Sequence, residues 1–331
     1  MKLVVTGALG HIGSRLIRSI LPQEFSQVVL IDNLATQRHA ALFDLRGDVD
    51  WRFIEADICA PGLDLASLFE GARCVVHLAA ITDAAASFEM KAEVERVNSA
   101  GTERVARACI AAGVPLLFPS TTSVYGLSDG LVDEASPAAL LRPQSPYAES
   151  KLRSERQLAE LGAQSGLRYF AGRFGTIYGP SAGMRFHTAV NKFIWQACVG
   201  QPLSVWRTAL DQKRPYLDLD DAVEAIRFVL RTGLFSNEIF NVVTENHVLR
   251  AVIEAIRRRV PDIRVELVDS PIMNQYSYEA GKRKFESQGF RFRGDLERGI
   301  GETVDLLRPL AAGRAGFLRL QGRAAAGLDG S

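Results

Sequence analysis

Short runs of apolar, β-branched residues punctuate the first half of the chain, at "KLVVTG", "QVVLID", "WRFIEAD", "CVVHLAA" and "VPLLFPS". Between several of them lie stretches whose apolar positions recur every three or four residues, such as "HIGSRLIRSIL" and "AGTERVARACIAAG". The first pattern predicts strands and the second helices. Their alternation predicts right-handed βαβ crossovers and so an α/β fold with a doubly wound parallel sheet. Apolarity that is continuous along each strand fits strands covered on both faces. From about Gly172 the rhythm loosens: "RFGTIYGPSAG" reads as loop, "HTAVNKFIWQACVG" as helix, "PLSVW" as a short strand and "DDAVEAIRFVLRTG" as helix again. The expected organisation is a regular α/β part over 1–172, a lobe with returns to the sheet over 173–311, and a flexible Gly-, Ala- and Arg-rich tail over 312–331.

Composition narrows the function classes. With 331 residues, 47% of them hydrophobic, the chain can bury a large core. Its 39 basic and 38 acidic residues leave a net charge of +1, so no broad positive field favours nucleic acid or an anionic membrane. An anionic ligand must therefore be held by local groups. Cys59, Cys74, Cys109 and Cys198 are scattered, and the five histidines show no ligand spacing, so neither a metal site nor a disulfide is expected. No leader-like segment precedes "LVVTG" and no apolar run reaches membrane length, which leads to an expected cytoplasmic location.

Candidate chemistry begins in "VVTGALGHIGSRL", where Gly7, Gly10 and Gly13 stand at the predicted turn from the first strand into the first helix. Gly7 permits a tight turn, Gly10 lets the backbone approach a pyrophosphate, and Gly13 allows close helix-to-strand packing. The helix N-terminus offers that phosphate its free N–H groups. Asp32, ending the second strand in "LIDN", can accept both ribose hydroxyls and would repel a 2′-phosphate, which favours NAD over NADP. Asp57 in "EADI" either meets the adenine or is a solvated loop aspartate.

A second constellation starts at "STTSVYG", where a strand that reads as buried ends in four consecutive hydroxyls. Buried hydroxyls need partners, so the cluster suggests a wet, shaped site. In "SPYAESK", Tyr147 and Lys151 are one turn apart on a predicted long helix and share a face. An ammonium beside a phenol favours the phenolate, which makes Tyr147 a candidate general base working with a hydroxyl of the cluster. Tyr278 and Lys282 repeat the spacing but read as remote from the cofactor half.

Together "GALGHIG", Asp32 with Asn33, "HLAA" at 77–80, "STTSVYG", "YAESK", "RFGTIYGP" and "RPYLDLDDA" resemble the extended short-chain dehydrogenases, the NAD-dependent epimerase/dehydratase group acting mainly on nucleotide-linked sugars. The resemblance runs from Lys2 to about Leu307. It implies a Rossmann-type sheet with a smaller C-terminal substrate-binding lobe, NAD as cofactor, a nucleotide sugar as substrate, and a homodimer through two helices per subunit. It makes Tyr147 the base, Lys151 its activator and nicotinamide-ribose anchor, and Thr121 the catalytic hydroxyl. Around the dinucleotide it places His11 and Ile12 with the glycines, Ile58 beside Asp57, and Leu78, Ala79 and Ala80 after the fourth strand. Asn98 joins them from a following helix. Ser120, Thr122, Ser123 and Thr176 fall on the substrate side, and Arg214 takes the place of the diphosphate-binding arginine.

Within that family the hydroxyl strand end separates chemistries. The 4,6-dehydratases carry Asp and Glu where this chain has Thr122 and Ser123, and the nucleotide-sugar decarboxylases carry Glu at position 123. Hydride transfer with one shuttled proton remains, which fits a C4 epimerase. A 4-ketoreductase or dehydrogenase with net redox is the alternative, and a 4,6-dehydratase or a non-catalytic dinucleotide sensor stand behind it. Three departures affect substrate contacts: Thr176 where Asn is common, "RTALDQ" for the usual "GDG" turn, and "SPIM" at 270–273 for an "RPGD" turn. Arg185 and Arg207 either supply the missing charge or are solvated loop arginines. Trp195 and Trp206 stack on a base or belong to the core; His77 is expected to satisfy a backbone group, and Ser87 to touch substrate or cap a helix.

Overall fold

The structure is a computed structural model and describes residues 1–126, 128, 130–269 and 277–311. The five N-terminal apolar runs form β1 (Lys2–Thr6), β2 (Gln27–Asp32), β3 (Asp50–Glu55), β4 (Ala72–His77) and β5 (Leu116–Thr121). With β7 (Tyr169–Phe174) and β11 (Glu238–Val242) they make a seven-stranded sheet in the order β11-β7-β5-β4-β1-β2-β3. Its pairings are parallel throughout. The chain moves outward from β1 to β3, then returns to β4 on the other side of β1. A ligand crevice opens at the carboxyl ends of the strands where such an order reverses.

The helices α1 (His11–Ser19), α2 (Leu65–Phe69), α3 (Lys91–Val94), α4 (Gly101–Ala112) and α5 (Pro146–Ser165) connect these strands. Adjacent residues of β1 divide between two cores: Leu3 and Val5 pack with Leu16, Phe170 and Phe240, while Val4 packs with Val105, Phe118 and Leu158. Continuous apolarity therefore reports burial on both faces, and β5 and β7 are buried along their whole length. The start of α5 is fixed by Ser145, whose hydroxyl accepts from the Ala148 amide at 3.2 Å, and by Pro146 in the first turn. That cap places Tyr147 and Lys151 in the opening turns of the helix.

The second half builds smaller sheets and a helical layer. The stretch expected as loop at "RFGTIYGPSAG" instead holds the end of β7 and a short strand, β8 (Thr176–Tyr178). A three-residue strand has no visible period and exists through its partner, β10 (Lys213–Asp218), which also pairs antiparallel with β12 (Glu245–Val248). Strand β9 (Leu203–Trp206) pairs with β13 (Val265–Val268), and β6 (Gly130–Val132) with β14 (Tyr278–Ala280). Helices α6 (Ala189–Cys198), α8 (Leu249–Arg259) and α10 (Leu296–Ala311) share a third core around Ile194, Val252, Ile256 and Ile300. Helix α7 (Leu219–Thr232) returns to the sheet with Ile226 and Val229 in the core of Leu16, while α9 (Arg283–Ser287) contributes Phe285 there. The "SPIM" segment and the 312–331 tail lie outside the described residues. Among the described residues the four cysteines are free, no acidic, His or Cys group suits a metal ion, and no helix is long and apolar enough to cross a membrane.

Candidate active site

A cavity of about 850 Å³ opens over the carboxyl ends of β1, β4 and β5 and extends beneath the second-half strands. At one end the turn from β1 into α1 forms its wall. Gly7 has φ of +64°, and a Cβ there would stand 2.4 Å from the amide nitrogen of Ala79; a Cβ on Gly13 would stand 2.4 Å from the carbonyl of Ala8. These two contacts explain why the spacing needs glycine. Gly10 caps α1 without a side-chain bond to the first turn, which leaves that end suited to phosphate. Asp32 is held at the rim by the amides of Leu9 and Leu34, each at 3.0 Å. Glycine turn, bare helix end and rim carboxylate together fit a dinucleotide.

Gly7, Gly10, His11, Ile12, Gly13, Asp32 and Asn33 line this end, with Asp57, Ile58, Leu78, Ala79 and Ala80 beside them. Asp57 is neither free nor simply solvated: it accepts from the Cys59 amide at 2.8 Å and pairs with Arg96 at 2.8 Å. Asn98 does not line the cavity. Its amide side chain bonds both backbone groups of Ile81 and the hydroxyl of Ser150, tying the segment after β4 to α5. His77 is satisfied by the hydroxyls of Thr6 at 2.7 Å and Thr102 at 3.1 Å, not by the backbone group expected. Burial lowers its pKa to about 3 and keeps it neutral.

At the tip of β5 the Tyr147 hydroxyl faces Thr121, whose Oγ1 accepts from the Ser123 amide at 3.2 Å. Lys151 lines the same wall, yet its ammonium donates to the Pro119 carbonyl at 2.8 Å and lies 4.5 Å over the Phe118 ring. Burial, reinforced by Arg185, lowers its pKa to about 7. Burial holds the Tyr147 phenol above its usual range, against which the charge of Arg185 and the Thr121 hydroxyl act.

The hydroxyl cluster also divides. Ser120 reaches the cavity, but its hydroxyl donates at 2.5 Å to Glu155, which makes a buried two-bond pair with Arg173 at 3.0 and 2.7 Å. Arg173 lies 4.8 Å over Tyr125, whose hydroxyl donates to Asn241 at 2.9 Å. Thr122 is buried away from the cavity, and its carbonyl accepts from Tyr278 at 2.9 Å. Of the four hydroxyl residues Ser120, Thr121 and Ser123 line the cavity, Ser120 with its hydroxyl committed to Glu155, while Thr122 is buried behind the wall.

Thr176, Arg185 and Arg214 line the far end. Arg214 lies 5.4 Å over the Tyr278 ring and donates to Gln212 at 3.2 Å. Arg207 is not part of the cavity; its side chain is 60% exposed and stands 3.6 Å from Asp269. Tyr278, read as remote, lines the cavity from β14; because the chain is a strand there and not a helix, Lys282, just beyond β14 at the start of α9, does not share its face and donates to the carbonyl of Thr244 at 2.5 Å. His187, Gln212 and Arg38 line the cavity without having been singled out. No spacing joins them to a motif; only the loops that carry them bring them together. Trp206 lines the cavity, whereas Trp195 packs on Phe186 at 5.3 Å. Ser87 accepts from the amide of Tyr147 at 3.3 Å, so it caps a helix, but α5 and not its own segment.

The model of the NAD dependent epimerase/dehydratase family matches residues 3–242. An uncharacterized UDP-glucose epimerase of Bacillus subtilis, YtcB, is 30% identical over 251 residues, 73% of this chain and 76% of the relative. A dTDP-glucose 4,6-dehydratase of an Actinoplanes species is 27% identical over 92% of this chain and 97% of its own. The crystal structure of the Thermus thermophilus UDP-glucose 4-epimerase in complex with NAD has a TM-score of 0.79 and 28% identity, covering 93% of this chain and 99% of that one. The glycine turn, the rim carboxylate and the paired hydroxyls thus stand in a familiar frame: the chain belongs to the NAD dependent epimerase/dehydratase family and is an NAD-using enzyme of the epimerase or related oxidoreductase kind.

Proposed function

We propose that the enzyme interconverts C4 epimers of a nucleotide sugar, with uridine diphosphate as the carrier. The observation that carries this reading is the juxtaposition of Thr121 and Tyr147 at the tip of β5, followed by hydroxyl residues at 122 and 123. Removal of water from C5 and C6 needs an acid and a base beside the reacting carbons, and neither hydroxyl serves. The turn Gly7–Gly13 and Asp32 would hold NAD, which would supply reversible hydride transfer at C4 of the sugar.

Tyr147 removes the proton of the C4 hydroxyl through Thr121 and gives it back at the end of the cycle. Lys151, fixed by the Pro119 carbonyl, anchors the cofactor ribose and regains full charge when an electron-rich partner approaches. Ser123 and Thr176 offer short hydroxyls on the sugar side, which exchange hydrogen bonds as a keto sugar turns over. Arg214 faces the diphosphate. The names of the relatives support the uridine carrier. The reading includes residues 1–172 as the cofactor unit, most of 173–311 as the substrate lobe, and a homodimer built on two helices per subunit.

The test is incubation of the purified protein, without added cofactor, with UDP-, dTDP-, GDP- and CDP-linked hexoses, followed by NMR of the sugar. A C4 epimer with no net NADH formed or consumed is expected. A 4-keto-6-deoxy sugar, or product in step with NADH consumption, overturns the reading.

A further inference from the structure

We infer that Glu155, buried one turn beyond Lys151 on α5 and gripped by Arg173, is a positioning residue of the reacting end: it holds the tip of β5, and the charge of Lys151, where Thr121 and Tyr147 need them. The inference rests on the reading of Thr121, Tyr147 and Lys151 above. Four residues apart, Lys151 and Glu155 share one face of the helix, and both reach β5. Lys151 donates to the Pro119 carbonyl at 2.8 Å and the Ser120 hydroxyl donates to Glu155 at 2.5 Å, so two successive residues of the strand are tied down immediately before Thr121. Beyond Thr121 the chain is held again: the Tyr125 ring lies 4.8 Å from the Arg173 guanidinium, and its hydroxyl donates to Asn241 at 2.9 Å.

Ser120 and Arg173 stand opposite each other on neighbouring strands, and Glu155 joins them. Its Oε1 accepts from Ser120 and from Arg173 Nε at 3.0 Å, and its Oε2 from Arg173 Nη2 at 2.7 Å; the side chains of Glu155 and Arg173 are 2% and 4% exposed. A buried ion pair adds little net stability over apolar residues of similar volume. What it does fix is direction, because two parallel N–H bonds orient both planes. One carboxylate thereby sets α5, which carries Tyr147 and Lys151, against β5, which carries Thr121. Its charge reaches Lys151 as well: burial and Arg185 favour the neutral amine, and Glu155 favours the ammonium. His77, which feels Lys151 from β4, is neutral and does not alter that balance.

The test replaces the pair as a unit, Glu155→Gln with Arg173→Gln, so that no lone charge is left buried, and reads the NAD-loaded protein in two ways. Carbon NMR of isotopically labelled lysine, with Lys151→Met identifying the signal, follows the titration of Lys151 whatever sugar is turned over. Its midpoint is expected to fall by at least about half a pH unit, because the anion that favours the ammonium is gone. Steady-state kinetics are expected to show kcat down about tenfold at unchanged KM and NAD content, the mark of misplaced reacting groups and not of lost binding. Ser120→Ala, which cuts the tie to β5 and keeps the ion pair, is expected to lower kcat by a smaller factor and to leave the Lys151 midpoint in place. An unmoved midpoint in the double variant, an unchanged kcat in both variants, or a loss confined to KM overturns the inference. If the double variant does not fold, the kcat of Ser120→Ala decides: a fall at constant KM supports the inference and no fall overturns it. The two readings fail separately. A lowered midpoint without any C4 epimer formed by the unaltered enzyme sinks the reaction and leaves Glu155 its role; a C4 epimerase whose Lys151 midpoint ignores the pair sinks the role of Glu155 alone.

Discussion

The two ends of the cavity are built differently. The cofactor end is mostly backbone and close sequence neighbours: a turn of seven residues from Gly7 to Gly13, a carboxylate at the end of β2 and the residues just after β4. The other end is assembled from side chains on separate strands and loops, with Arg185, His187, Gln212, Arg214 and Tyr278 lining it from outside the regular α/β part. A backbone cradle needs glycine at fixed spacing because atoms must approach closely. A side-chain pocket needs only that some loop arrive with a suitable group. The first therefore leaves a motif and the second does not.

Four substitutions or conditions break or sharpen this contrast. Tyr147→Phe removes the proton-transferring hydroxyl and no cofactor contact made by the glycine turn, so kcat should fall by about 10²–10⁴ while the NAD content of the purified protein stays near that of the unaltered enzyme. Surviving activity means that the base is elsewhere. Gly7→Ala attacks the other end: its Cβ would fall 2.4 Å from the Ala79 amide, at a backbone φ of +64°. A loss of roughly 1–3 kcal/mol of stability and most of the bound NAD is expected, read by thermal unfolding and by absorbance of the released cofactor. Unchanged stability removes the close-approach argument.

Lys151 sits on the border between the two ends. Its folded pKa of about 7 is below the ordinary 10.5. Between those values the unfolded chain binds more protons than the folded one, so this group makes the cofactor-free protein more stable as pH rises from about 7 to 10.5. The stability of the unaltered protein relative to Lys151→Met should therefore improve across that window in paired thermal melts, and a flat or opposite trend means that the ammonium is not desolvated. The smallest effect is expected at Arg207→Ala. An exposed arginine 3.6 Å from an exposed acid contributes little, so stability should change by less than about 0.5 kcal/mol and the Michaelis constant not measurably. A large rise in that constant would return Arg207 to the substrate site.

The sequence by itself determined the layered α/β scaffold, because burial on both faces makes a strand continuously apolar and burial on one side makes a helix periodic. It also determined the cofactor end, where steric contact permits glycine alone, and the shared face of Tyr147 and Lys151, which follows from helix pitch. Tertiary structure decided which residues of "STTS" meet the cavity, that the Ser120 hydroxyl is taken by Glu155, and that Thr122 is buried with its carbonyl bonded by Tyr278. It brought the charge of Arg185 towards Tyr147, kept Arg207 in solvent and returned Tyr278 to the cavity. The reason is common to all of these: local spacing fixes where a side chain leaves its own strand or helix, whereas its charge, its partner and its exposure depend on segments distant in the chain.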